Sequence, residues 1–518
     1  MTITAIKRSI LNLPFLNSTN RERNFYVFIT IFSAIISLAG FIYYYQQENI
    51  TLMIDGITRL NTARRVLYSQ TPGIGQLGGI WLPLPSILMI PTIWSDFMYY
   101  SGLSGSIISM IFYVISGVAL SAIVFKITRN YISAFVSSLV YLTNPSMVYF
   151  QSTPMTESMT ISLIIISTYF LLMWSYKQKG QIYLIIPAFF ALLINLTRYE
   201  GWVFTLTAIM FVGIVSWLKS RNWGKTEGNL VIFSTLALFG VFLWLIYNLA
   251  LFGDPFNFAH EIGSTASFVK KYIEIGGDIP TGDIMGAVRL YFMNSEQLVG
   301  LISLTLSVFG LLLYIKHKIT SKEILIPFLL SSPFLFHIYA LFTGQTFFVY
   351  RYGFYLLPPV AFFIGILLSY TKSIKKIIIL GFLFLQFLIL IHRDSLSPNY
   401  PEGIPPHSQV STELNSLSVW LQNNPAKGQI LLSTLIRGDE IIFYGKIPFN
   451  QIIHEGTYNR WQEALNNPNL YVARIILRKE TDFFNNPIEE MVQKNPHYFD
   501  AFSLDFDSEI YKVYDKKQ

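Results

Sequence analysis

Apolar runs of membrane-spanning length alternate with short polar stretches over the first three quarters of the chain. A bilayer core about 30 Å thick is crossed by ~20 apolar residues in a helix. On that basis the pattern predicts spans at 25–45, 105–125, 131–150, 158–176, 181–197, 201–218, 229–251, 298–315, 324–342, 353–370 and 376–392. Residues 80–98 are also apolar, but Pro83, Pro85 and Pro91 interrupt them. Proline removes a backbone donor and breaks a straight helix, so this stretch reads as helices lying in the outer interface. After His392 the pattern changes to mixed polar sequence, beginning with the linker SPNYPEGIPPHS. From 408 the periodicity predicts a small soluble α/β domain with helices at 409–423, 457–466 and 486–495. Strands are expected at 429–434, 450–454, 470–477, 501–506 and 509–514, with the tail YKVYDKK as an edge strand. The expected division is therefore 1–396, a transmembrane unit, and 397–518, an extracytoplasmic α/β domain.

Composition agrees with a membrane location. Of the 518 residues 52% are hydrophobic and 13% charged, against about 25% charged in a soluble domain. The absence of cysteine excludes disulfides and thiolate-bound metals. The net charge of +7 sits in short clusters between spans rather than in a patch for nucleic acid. Those clusters are Lys126/Arg129, Lys177/Lys179, Lys219/Arg221/Lys225, Lys316/Lys318/Lys322 and Lys372/Lys375/Lys376. With 80–98 outside the count, all fall on the side of the basic N-terminus, which the positive-inside rule places in the cytoplasm. Eleven crossings then put the C-terminal domain outside the cell membrane.

The outer face collects the chemistry. It receives Asp55, with Arg59, Arg64 and Arg65 on the amphipathic run that follows, and a glycine-rich turn before Trp81. It also receives Glu157, Arg198 with Glu200, and Tyr350, Arg351 and Tyr352. Arginines at outer span ends run against the topological bias, and a bound anion accounts for them, because guanidinium offers a rigid fork to phosphate. Each residue also has a plainer reading. Asp55 could be a solvated loop acid, Glu157 a helix N-terminal acid, Arg198 and Glu200 a structural ion pair. Arg64 and Arg65 read best as contacts to lipid head groups, and Arg351 could snorkel between its tyrosines. His260 and Glu261 read as surface residues, and the C-terminal domain shows no catalytic constellation.

The order DGITRL, WLPLP, MTES, RYEGW, YRYGFYLLP resembles the GT-C class of membrane glycosyltransferases, in particular the protein O-mannosyltransferase and aminoarabinose transferase branch (glycosyltransferase family 39-like). The resemblance implies a polytopic helical fold and transfer of a sugar from a polyprenyl phosphate to an acceptor hydroxyl, with inversion. It implies Asp55 as the general base, with Glu157 orienting the acceptor or acting beside it. Arg351 and Arg198 would hold the phosphate; Arg59, Glu200, Tyr350 and Trp81 complete the expected substrate site. The partners are then membrane lipid, the polyprenyl-phosphate sugar and an acceptor lipid, glycan or protein. No residue set calls for a metal, although a divalent ion is left open. The rival class is a transporter or flippase of lipid-linked sugars, which should carry ionisable groups along a path through the midplane.

Overall fold

The computed structural model describes residues 20–177, 181–261, 263–317, 321–393, 411–434, 437–479 and 486–517. The linker at 397–408, with the expected boundary at 396, and Lys7, Arg8, Lys179 and Lys318 lie outside the described residues. The chain begins with α1 (Asn20–Gln46), then the amphipathic α2 (Ile54–Tyr68) and α3 (Leu84–Ile93). There follow α4 (Leu103–Thr128), α5 (Tyr131–Leu142), α6 (Glu157–Lys177), α7 (Ile182–Asn195), α8 (Glu200–Ser220) and α9 (Trp223–Phe252). The last helices of the apolar part are α10 (Ile284–Val299), α11 (Leu301–Lys316), α12 (Ile326–Phe342), α13 (Leu357–Tyr370) and α14 (Ser373–Arg393).

Seven helices among the described residues are long and apolar enough to cross a membrane: α1, α4, α6, α8, α9, α13 with its leading turn Tyr350–Leu356, and α14. The protein is an integral membrane protein. The pair α10 and α11, bent by 110°, is a broken span or a re-entrant loop, and taken as one span would make an eighth. The bend falls at Gly300, whose φ of +97° suits glycine, and where a Cβ would sit 2.3 Å from the Gln386 side chain. The expected spans 131–150, 181–197 and 324–342 are shorter apolar helices, so helix length alone gives seven or eight crossings rather than eleven. In the first of these the cause is local. Asn144 leaves the helical path and its Oδ1 accepts from Met147 N at 3.2 Å, capping a separate helix that opens at Pro145. Residues 80–98 form α3 and the short helix Asp96–Tyr100. Ten residues rise only ~15 Å, too short to cross. The Leu84 amide bonds to the Leu196 carbonyl, tying α3 to the loop before α8.

The two ends of the bundle differ. At one end Arg21 lies over Tyr131, Lys126 lies over Tyr176, Tyr176 bonds to Glu323, and His317 stacks on Tyr370. At the other end α2 and α3 meet the C-terminal unit. That unit comprises α15 (Thr412–Asn423), β1 (Ile430–Leu431), α16 (Gly438–Tyr444), β2 (Ile452–Ile453), α17 (Asn459–Asn466), β3 (Arg474–Arg478), α18 (Pro487–Lys494), β4 (Phe502–Asp507) and β5 (Tyr511–Lys516). The sheet order is β2-β1-β3-β5-β4, with β1 parallel to β2 and β3, and β5 antiparallel to β3 and β4. The tail strand is therefore interior, not the edge that its sequence suggested. Arg474 of β3 forks onto Asp515 of β5, and the alternate residues Tyr511 and Val513 are buried. A short apolar run can be paired on both sides without looking different in sequence.

The unit sits directly on α2. Ile57, Leu60 and Ala63 of α2 pack with Ile441, Phe443 and Ile452. Asn61 donates to the Asp439 carbonyl at 2.9 Å and to its carboxylate at 2.8 Å, while Tyr444 OH donates to the Thr51 carbonyl at 2.9 Å. A buried side-chain amide with partners on both sides of a contact fixes one register, because leaving any of its groups unpaired costs about 1–3 kcal/mol.

Candidate functional site

Where α2 begins, the chain has just left α1, so Asp55 in the first turn of α2 is set at the bundle's end. Glu157 opens α6 and Glu200 opens α8, both placed where a carboxylate is favoured by the helix dipole. Arg198 lies in the loop before α8, and Arg351 in the tight turn before α13. Four separate elements thus aim charged side chains at one place.

The charges form a chain. Arg351 bonds to Asp55 through Nη2, and its Nε lies 2.9 Å from Glu157 Oε1. The same Glu157 oxygen accepts from Arg198 Nη1 at 3.1 Å. Arg198 also donates to Glu200 at 2.9 Å, to Thr156 Oγ1 at 3.1 Å and to Tyr352 OH at 3.0 Å. Glu200 takes further bonds from Tyr355 OH at 3.2 Å and His337 Nε2 at 3.1 Å, and His337 stacks on Tyr352 at 3.9 Å. Glu157 is fully buried, Glu200 4% exposed, and Asp55 the most accessible of the three at 29% of its side chain. A buried carboxylate is tolerable only when so paired. Asp55 and Glu200 both line one cavity, and Asp55 is the more accessible of the two.

Arg59, one turn further along α2, stands apart from this chain. Its guanidinium lies over the Trp81 ring at 4.5 Å, the residue is 8% exposed, and Nη1 has no hydrogen-bond partner among the described residues. Burial and the nearby Arg198 charge lower its pKa to about 10, against the opposing pull of Asp55 and Glu157. Burial alone would raise the Asp55 carboxyl, but the charges of Arg351, Arg59 and Arg198 outweigh it and hold it below the ordinary carboxylate value.

These groups line a cavity of about 1200 Å³. Its floor carries Asp55, Arg59, Arg198, Glu200, Arg351, Tyr352 and Trp81. Its roof is the C-terminal unit and the glycine turn, with Gln76, Thr434, His454, Glu455 and Tyr458 among the lining. Of the residues expected in the site, Tyr350 does not line the cavity: its hydroxyl donates to Gln297 at 2.7 Å, and Tyr352 takes the place in the cluster. Arg64 is held by Asp96 and the Tyr99 ring rather than left for lipid, while Arg65 lines the cavity. His260 is exposed beside Asp254, but Glu261 lines the cavity, its carboxyl pushed up by burial. Sequence reasoning missed His337 and Tyr355, for which an ionisable residue inside an apolar run was the available signal. It also missed the part of the roof that the C-terminal unit supplies. Among the described residues, no group of three or more His, Asp or Glu is placed to hold a metal ion.

The fold is that of the GT-C class of membrane glycosyltransferases. ArnT from Cupriavidus metallidurans bound to undecaprenyl phosphate matches over 93% of this chain and 97% of its own, with TM-score 0.54 at 10% identity. Its apo form matches over 96% and 98%, with TM-score 0.53 at 9% identity. The Archaeoglobus fulgidus oligosaccharyltransferase complex with Zn and sulfate matches over 87% of this chain and 68% of its own, with TM-score 0.50 at 12% identity. No protein-family model matches the chain, and no curated protein matches it by sequence.

Proposed function

We propose that the protein is an inverting glycosyltransferase that takes its sugar from a polyprenyl phosphate on the extracytoplasmic side of the cell membrane. One observation supports this most: an accessible carboxylate, Asp55, and a buried guanidinium, Arg59, whose Nη1 has no partner among the described residues, face one cavity at the bundle's end. The likeness in fold to ArnT bound to undecaprenyl phosphate agrees with a lipid-phosphate donor. In this reading the C-terminal unit is extracytoplasmic and the N-terminus cytoplasmic.

The acceptor hydroxyl oxygen attacks the anomeric carbon from the face opposite the phosphate. A new C–O bond forms as the bond to phosphate breaks, and the electron pair leaves with polyprenyl phosphate. The hydroxyl proton passes to Asp55, the general base. Arg59 binds the phosphate at rest, because its Nη1 has no partner among the described residues. Arg351 shares Asp55 at rest, and shifts toward the phosphate as charge develops there. That shift releases Asp55 to accept the proton as the leaving group needs its counter-charge, an electrostatic contribution realised in the transition state. Glu157 and Glu200 hold Arg351 and Arg198 in place.

The test is incubation of purified protein with a panel of polyprenyl-phosphate sugars, reading release of polyprenyl phosphate. Release with at least one donor, abolished in Asp55→Asn and weakened in both rate and donor binding in Arg351→Ala, is expected. No release with any donor and acceptor would sink the reading. The linked charges Asp55, Glu157, Arg198, Glu200 and Arg351 lie together at one end of the bundle, which supports the transferase over the transporter.

A further inference from the structure

The roof of the cavity contains two buried polar atoms that the transfer chemistry does not use. Gln76, in the glycine turn, is 3% exposed; its Nε2 donates to the Gly456 carbonyl at 2.8 Å and the Thr71 carbonyl at 3.0 Å. Two carbonyl acceptors fix that atom as the amide nitrogen, so Oε1 is the acceptor, and it has no partner among the described residues. His454 is 1% exposed, and its Nδ1 accepts from the Gly456 amide at 3.1 Å. The ring proton is then on Nε2, a donor that is also without a partner among the described residues. Both side chains converge beside Gly456, where a Cβ would lie 2.7 Å from the His454 ring and 3.2 Å from Gln76 Oε1. Of the charges nearby, Glu455 accepts from Ser433 and Thr434 and Asp439 from Asn61. Arg65 donates through Nη2 to Thr62, while its Nε is without a partner among the described residues.

Buried polar atoms are nearly always satisfied, and the exceptions ask for an explanation. Here one neutral acceptor and one neutral donor, on two different elements, line the same cavity. A hydroxyl group matches such a pair, donating to Gln76 and accepting from His454. An anion would meet the Gln76 oxygen unfavourably, and a cation the His454 N–H. The ring of Tyr458, 42% exposed, lines the same end and offers a face for a sugar. We infer that Gln76 and His454 form an acceptor subsite for an uncharged, hydroxyl-bearing sugar unit, held under the C-terminal unit. The inference rests on the transferase reading and names the acceptor class for it.

Binding of methyl glycosides of neutral hexoses and pentoses to the full-length protein in detergent tests the subsite, with polyprenyl phosphate titrated separately. Wild type should bind at least one glycoside. Gln76→Ala and His454→Ala should each weaken it roughly tenfold, the worth of one buried hydrogen bond, while polyprenyl phosphate binds as in wild type. Gly456→Ala keeps both polar groups but fills the space between them, and should remove glycoside binding with lipid binding intact. Glycoside affinity unchanged in all three variants, or no glycoside bound by wild type, or binding of charged glycosides only, would each overturn the subsite. Failure of polyprenyl phosphate to bind wild type would strike the transferase reading instead, since glycoside binding is measured without it.

Discussion

The floor and the roof of the cavity are built on opposite plans. On the floor three carboxylates and two guanidiniums are set within one chain of contacts, each paired with another charge. In the roof Gln76 and His454 each leave one neutral atom, an amide oxygen and an imidazole N–H, without a partner among the described residues. A paired charge can be exchanged for another when an anion arrives, so the floor suits a step in which charge moves. Open neutral groups gain by meeting a neutral ligand that brings its own donor and acceptor, so the roof suits recognition. Arg59 belongs to the floor by position, yet it resembles the roof in having an unserved atom, which makes it the resting anchor for a phosphate.

The comparison is sharpened most by Asp55. Asp55→Asn keeps size and most hydrogen bonding but cannot accept a proton. Turnover should fall by ~10²–10⁴, the usual worth of a positioned base, with donor binding retained in a lipid titration. Turnover equal to wild type would make the floor structural. Next comes Glu157→Gln, which leaves Arg198 and Arg351 without their shared counter-charge. Removing one partner of a buried pair costs about 3–5 kcal/mol, read as a fall in Tm of the detergent-solubilised protein; a smaller change would mean that the pairs are not coupled. Arg59→Ala should weaken polyprenyl phosphate binding by about 1.5–3 kcal/mol, with only a small fall in Tm from the lost contact with the Trp81 ring, since Nη1 has no partner among the described residues.

The smallest effect belongs to the roof and depends on pH. Burial, and then the facing charge of Arg65, hold the His454 imidazole well below its ordinary pKa. The unfolded chain therefore takes up a proton at this site that the fold excludes. Stability from this group is complete above the ordinary histidine value near 6.5 and is lost as pH falls below it. The Tm of wild type should drop between pH 6.5 and 5 by more than that of His454→Gln; equal slopes would show that the imidazole accepts a proton in the fold.

Much of this was legible from the sequence, and the reason is physical. Spans follow from runs of apolar residues, because lipid imposes a length; α1, α4, α6, α8, α9 and α14 appear where those runs lie. Prolines in 80–98 imply a helix too broken to cross, and α3 is short. Asp55, Glu157, Arg198, Glu200 and Arg351 stood out as charges at the outer ends of apolar runs. What apolar length cannot reveal is where a span breaks, since Asn144–Pro145 and Gly300 act through local backbone geometry. Nor could the sequence decide which charge meets which. Arg351 reaches Asp55 across 296 residues, and only packing of α2, α6, α8 and the turn before α13 brings those carboxylates and guanidiniums together. The pair in the roof was invisible for the same reason. Gln76 and His454 are ordinary polar residues in loops, and only the docking of the C-terminal unit onto α2 buries both, leaves one atom of each unserved, and turns them toward the same space.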